Sequence, residues 1–414
     1  MRLLLCIDHF GPGGAQRQLV ALARGLHARG HEVELFVYHP HIRHFAPQVE
    51  ELGLTVHEAR KAGRFSPRPV LELARLIGRR RYDGVLAYLA TPAVYAELAS
   101  LADRRVPVVV SERFMYTRLT PLSRLQQELH RLATWITVNS HHQAERMVGL
   151  FPWMRGKLST IYNGVDLETF APAWATGGTG ASGCAHPGGA RGDARHEEAA
   201  ASGPFAPPTG DDAGGDGPLR LLAVASTARK KNALNLARAL GLLARRGGPV
   251  PTVSWAGVPT TADDEAAKAE VDAALAAEGV ADRWRWLGRR EDVPELMRAH
   301  DALVHPAFFE GLPNAVCEAL ASGLPVLASR VCDHPRLVGE DRGLLFDPGS
   351  PEDIAAALER FAATPRERRL GMSRASRAFA ESELSLERYA KEYEALFLRL
   401  GERRRARAAL EPAS

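Results

Sequence analysis

Short apolar runs recur along this 414-residue chain, separated by longer stretches whose apolar positions repeat every third or fourth residue. The first pattern reads as strands buried on both faces, the second as amphipathic helices. Strands are predicted at 3–7, 33–38, 84–88, 106–110 and 136–139, then at 219–225, 252–256, 284–287, 302–305 and 326–328. Helices are predicted at 16–29, 70–80 and 122–133, at 234–244, 266–277, 293–299 and 315–321, and at 353–362 and 386–400. Such alternation produces parallel sheets with right-handed crossovers, so the expected class is α/β with two Rossmann-like halves.

Residues 171–217 break the pattern, with 12 Gly, 12 Ala and 5 Pro but no Leu, Ile or Val. Without aliphatic side chains such a segment cannot offset its ordering entropy, and it is expected to be a disordered insertion. His186 and His196 within it read as solvated loop residues rather than metal ligands. The chain therefore divides into an N-terminal domain (1–170), the insertion, a second domain (218–383) and a C-terminal helix with its tail (384–414).

The richest chemistry lies between the predicted strands 302–305 and 326–328. There Glu310 and Glu318 bracket Gly311, Leu312, Pro313 and Asn314. Asn314 is the expected N-cap of a short helix that Gly323 and Pro325 stop. Free amides and the positive end of the helix dipole would then sit between two carboxylates, an arrangement suited to a phosphate flanked by hydroxyls. The spacing alone also fits a solvated helix face, but the flanking strands place the pair at the carboxyl ends of a parallel sheet, where open α/β sheets bind ligands.

With these residues the chain resembles the retaining glycosyltransferases of family 4, which have the two-domain GT-B architecture. The resemblance covers most of the chain outside the insertion and implies a nucleoside diphosphate sugar as donor. It implies that Glu310 contacts the donor sugar near the reacting carbon and that Glu318 binds the ribose hydroxyls, with the amides of 311–314 on phosphate. Gly13 and Gly14 match the family's Gly-Gly loop, which faces the donor phosphate and the acceptor; as bare sequence they also fit a tight turn. Lys231 falls on the lysine that holds the diphosphate, whereas Ser226 stands where relatives carry an arginine, leaving Arg229 as the candidate replacement. Asp333 corresponds to a segment that lines the sugar pocket in some members, or is an N-cap. The resemblance also implies that the last helix crosses back to the first domain.

Ser111, Glu112 and Arg113, at the end of a predicted first-domain strand, are candidates for acceptor contact. Asn163-Gly164 reads as an ordinary turn. Leu122, Leu125, Leu129 and Leu132 form a stripe with Arg124 and Arg131 beside it, read as a core face in preference to a membrane anchor.

Hydrophobic content of 45% and charged content of 25% are those of a globular protein, and no apolar run approaches the ~18 residues of a membrane span. The N-terminal apolar run ends at Asp8 and reads as a strand rather than a signal peptide. Cys6, Cys184, Cys317 and Cys332 show no paired or metal-like spacing, which points to a reducing, cytoplasmic setting without structural zinc. Net charge is +4, yet residues 60–157 carry 17 Lys and Arg against 7 Asp and Glu. That basic region suits a phosphate-linked acceptor or the anionic inner face of a membrane; a scattered solvated surface remains the alternative, and no nucleic-acid partner is expected.

These features give the expectation of sugar transfer from a UDP- or GDP-sugar to a glycan or lipid-linked acceptor, without a cofactor or a required divalent metal. The rivals are a nucleotide-sugar epimerase of the same architecture and a non-catalytic binder, which the Ser226 departure keeps open.

Overall fold

The computed structural model describes residues 1–61, 63, 66–113, 119–175 and 217–410, with side chains described up to 406. Most of the predicted insertion therefore lies outside the described residues. Seven strands form the first sheet: β1 (Arg2–Cys6), β2 (Glu32–Val37), β3 (Thr55–Glu58), β4 (Gly84–Tyr88), β5 (Val108–Glu112), β6 (Trp135–Val138) and β7 (Leu158–Thr160). Six form the second: β8 (Arg220–Val224), β9 (Thr252–Ala256), β10 (Trp284–Gly288), β11 (Ala302–His305), β12 (Val326–Ser329) and β13 (Gly343–Phe346).

Among the described residues the paired strands run parallel, in the orders β3-β2-β1-β4-β5-β6-β7 and β10-β9-β8-β11-β12-β13. The two sheets thus repeat one plan, two Rossmann-like layers of GT-B type. In each, the strand order reverses beside the first strand, between β1 and β4 and again between β8 and β11. Loops leaving the carboxyl ends of those four strands splay apart and open a crevice.

Apolar residues fill both faces of each sheet. Leu3, Leu5 and Leu35 pack on one face of the first and Leu4, Val85 and Val110 on the other; Leu221, Val304 and Trp255 and then Leu222, Leu303 and Val326 do the same in the second. The last helix, Leu386–Leu410, places Tyr389, Tyr393, Leu396, Phe397 and Leu400 in the first-domain core. Gly84 and Gly25 make room for it: a Cβ at Gly84 would lie 2.3 Å from the Phe397 ring, and one at Gly25 2.9 Å from Ala390. Among the described residues, no helix is long and apolar enough to cross a membrane.

Three strands escape the sequence reading, β3, β7 and β13, and all three are sheet edges of three or four residues. Edge strands need less apolar surface, so their pattern is weak. The strand predicted at 106–110 lies two residues further on, which brings Ser111 and Glu112 inside β5. The helix predicted at 122–133 spans only Pro121–Leu129, because the Lys157 ammonium donates to the carbonyls of His130, Arg131 and Ala133 just past its end. Its leucine stripe is not a core face. Leu122 and Leu125 are 73% and 59% exposed, while the inward side carries Ser123, Gln127 and His130.

Candidate functional site

The loop after β8 and the loop after β11 meet at the second sheet's reversal. Asn232, held in the left-handed region at φ 60°, donates to the Pro306 carbonyl at 3.0 Å, and the Phe308 amide donates to the Lys230 carbonyl at 2.9 Å. These bonds bring Lys231 onto Glu310, with which it forms an ion pair. His305, the last residue of β11, donates from Nε2 to the same Glu310 oxygen at 3.2 Å. Burial alone would raise the Glu310 carboxyl; the His305 hydrogen bond and the Lys231 charge reverse this and hold it well below the usual carboxylate range. His305 is itself buried, which pushes its own pKa down against the opposing pull of Glu310. Its ring lies 5.3 Å from that of His334, edge to face.

Eight residues further, Glu318 is buried in the helix Asn314–Ala321 and pairs with Arg17 of the helix Gly14–Ala28, across the crevice from it. The start of the first-domain helix is equally close: a Cβ on Gly14 would lie 3.1 Å from the Asn314 amide nitrogen Nδ2. Gly311 faces the other way, 3.8 Å from the Arg113 carbonyl by the same measure. Gly14 and Arg17 therefore meet Asn314 and Glu318 across the crevice, where two helix N-termini face each other, while Lys231 pairs with Glu310 in the loop leading up to it.

Some expectations need correction. Asn314 does not cap its helix: Pro313 holds the cap position, and Asn314 is the first helical residue, its Oδ1 accepting from Asn163 Nδ2 at 2.7 Å. Pro313 has no N–H, and Val316 and Cys317 donate to its carbonyl, so the helix-end donors are Asn314 and Ala315. Arg229, the candidate for the missing arginine's place, turns its guanidinium outward to Glu270, at 2.7 Å, and to Asp263. Asp333 is fully buried and faces the first domain: its carboxylate accepts from the His141 and His142 amides at 2.7 Å each and from the Tyr162 hydroxyl at 3.2 Å. It caps the helix His141–Leu150 from across the crevice rather than opening onto a sugar pocket.

In the first domain Ser111 points away from the crevice into the core, 3.4 Å from the Tyr393 hydroxyl. Arg113 and Glu112 do line a cavity of about 400 Å³ together with Asp8, Tyr38, Leu89, Ala90, Thr91 and Pro92. These residues leave β1, β2, β4 and β5, so the cavity sits at the first sheet's own reversal. The Arg113 guanidinium is engaged there, donating to Tyr88 and Tyr389 at 3.0 and 2.7 Å and to Asn163.

Sequence reasoning missed Arg17, His305 and Asn163. Arg17 carries a signal: a cation in the first helical turn opposes the dipole and wants an external partner. His305 ends an otherwise apolar strand at a carboxyl end, which is also legible; Asn163 has no signal beyond its turn.

Comparison with known proteins agrees with this geometry. A family model for "Glycosyltransferase Family 4" matches residues 12–169 and one for "Glycosyl transferases group 1" matches residues 218–364. The chain is 39% identical over 87 residues to the O-antigen chain mannosyltransferase B of Escherichia coli, covering 20% of this chain and 23% of that one. It is 31% identical over 107 residues to the lipopolysaccharide glucosyltransferase WaaG of E. coli K12, covering 25% and 28%. The matched segments thus span about a quarter of the length of these relatives. Among solved structures, HepE of Anabaena in complex with UDP superposes with a TM-score of 0.74 at 18% identity, covering 96% of this chain and 99% of that one. A glycosyltransferase from Rickettsia africae gives 0.75 at 14% identity, covering 96% and 98%. With both halves matched by the two family models, and both sheets and their facing loops in place, the chain belongs to the family-4, group 1 glycosyltransferases of GT-B architecture.

Proposed function

We propose that the protein moves a sugar from a UDP- or GDP-sugar to an acceptor hydroxyl, with retention at the anomeric carbon, in the synthesis of a polysaccharide, lipopolysaccharide or glycolipid. The observation that carries this reading is the convergence of Lys231, Glu310 and Glu318 on the crevice between two helix N-termini. Glu318 takes the ribose hydroxyls, Lys231 and the amides of Asn314 and Ala315 take the diphosphate, and Glu310 is held ionised beside the sugar. The chemical demand is to neutralise the leaving diphosphate, which a cation and helix-end amides meet without a divalent ion.

The acceptor enters from the first domain, and closure of the crevice keeps water from the donor. Relatives named for lipopolysaccharide and O-antigen synthesis, and the Anabaena neighbour crystallised with UDP, support this choice of donor and acceptor class. The exposed Leu122 and Leu125, with Arg124 between them, favour peripheral contact with the anionic inner face of a membrane.

Nucleoside diphosphate release from a panel of UDP- and GDP-sugars, with and without glycan acceptors, tests the proposal. Acceptor-dependent release with an unchanged anomeric configuration is expected. Turnover of the sugar without any acceptor points to an epimerase, and binding without turnover to a non-catalytic protein.

A further inference from the structure

A fully buried chain of ionisable groups lies behind the first-domain cavity. His130 donates from Nδ1 to Glu97 at 2.6 Å and from Nε2 to Glu112 Oε1 at 3.0 Å, and the three residues are 0%, 0% and 2% exposed. Two carboxylates and an imidazole cost more to bury than apolar residues of similar volume would. The helix Pro121–Leu129 is even turned around it, with Leu122 and Leu125 facing outward and Ser123 and Gln127 inward. Lys157 then fixes the His130 carbonyl at 2.7 Å, so the imidazole is anchored from both backbone and ring.

Only one member of this chain reaches open space. Glu112 lines the cavity, with its Oε1 taking the His130 hydrogen bond at 3.0 Å. The other walls supply the Asp8 carboxylate, the ring and hydroxyl of Tyr38, the Thr91 hydroxyl and the apolar Leu89 and Pro92. Two carboxylates repel an anionic group, and among the described lining residues the one guanidinium, Arg113, spends both its Nη atoms on Asn163, Tyr88 and Tyr389. Carboxylates paired with an aromatic ring and aliphatic faces suit an uncharged polyol, hydroxyls on the acids and C–H faces on the ring.

We propose that this cavity binds the uncharged sugar ring at the accepting end of the acceptor, that Glu112 accepts hydrogen bonds from its hydroxyls, and that His130 and Glu97 are positioning residues that fix the Glu112 carboxylate. This deepens the transferase reading and rests on it for the word acceptor; the binding itself does not need turnover.

The test is ligand-observed NMR on the full chain with methyl glycosides of mannose, glucose and galactose against methyl glucuronide and mannose 6-phosphate, with UDP and GDP thermal shifts run in parallel. At least one neutral glycoside should give saturation transfer in the wild type, lose most of it in Glu112→Gln, and weaken in His130→Gln. Asp8→Asn, on the opposite wall and outside the buried chain, should weaken it too, which keeps the test decisive if a His130 variant fails to fold. Preference for the glucuronide or the phosphate overturns the proposal, as does the absence of any neutral signal while a nucleotide still stabilises the protein. Glycoside signals with no nucleotide shift would instead leave this site standing and remove the transferase reading.

Discussion

Arg17 and Glu318, 301 residues apart in sequence, form an ion pair across the crevice that separates the two sheets. The guanidinium is 45% exposed and the carboxylate 8%. A ribose that takes Glu318 must share it with Arg17 or displace it, so the pair acts as an internal competitor for the nucleotide. With its guanidinium half in solvent, such a pair is worth about 1 kcal/mol. Arg17→Ala is therefore expected to tighten nucleoside diphosphate binding by up to about fivefold in calorimetry. Weaker binding in the variant would show that Arg17 touches the nucleotide itself.

Glu310→Gln keeps the shape of the carboxylate and both hydrogen-bonding neighbours, Lys231 and His305, while removing its charge. Transfer should fall by about 10²–10³-fold, the scale of losing one aimed electrostatic contact, with the melting temperature little changed. Lys231→Ala should lose activity to a similar extent but also stability, because it leaves a buried carboxylate without its cation. A Glu310→Gln protein that keeps more than a tenth of the rate would place Glu310 away from the reacting centre.

His130 gives a pH signature. Burial alone would lower it, yet the hydrogen bonds it donates to Glu112 and Glu97 and their charges lift it to about 9. Glu97 is shifted upward as well, chiefly by burial, and Lys157 is the nearby cation. A raised histidine holds its proton in the folded state after the unfolded chain has released it near pH ~6.5. Its stabilisation is therefore complete below about 6.5 and is lost as pH climbs to about 9. Urea midpoints of the wild type and His130→Gln should converge over that interval. A gap that stays constant with pH would mean that His130 is neutral in the folded protein.

Phe397 tests how firmly the terminal helix is part of the first domain. Its ring is 1% exposed and lies directly over Gly84 in the central strand β4. Phe397→Ala should cost about 3–5 kcal/mol and lower the melting temperature, with Gly84→Ala destabilising through the clash instead of a cavity. A loss below about 1 kcal/mol would show that the helix is only loosely attached.

Central strands such as β1, β4, β8 and β11 were legible because burial on both faces forces unbroken apolar runs, and Glu310, Glu318, Lys231 and the Gly13-Gly14 loop stood at their carboxyl ends in sequence order. Partnerships between distant residues were not. Nothing near Asp333 in the sequence shows that its oxygens meet the His141 and His142 amides, and nothing around Arg229 shows that it turns to Glu270. The helix Pro121–Leu129 misled for a physical reason: its leucine spacing is that of a core stripe, whereas the His130 that follows it joins the buried Glu97–His130–Glu112 chain and turns the polar face inward.

The central claim is that Glu318 and the loops beside it hold a nucleoside diphosphate. It is tested most directly by the thermal shift of the wild type and of Glu318→Ala against UDP, GDP, ADP and CMP. One diphosphate should raise the wild-type midpoint by mass action and leave the variant's nearly unmoved. Equal shifts in both proteins, or none with any nucleotide, would contradict the account.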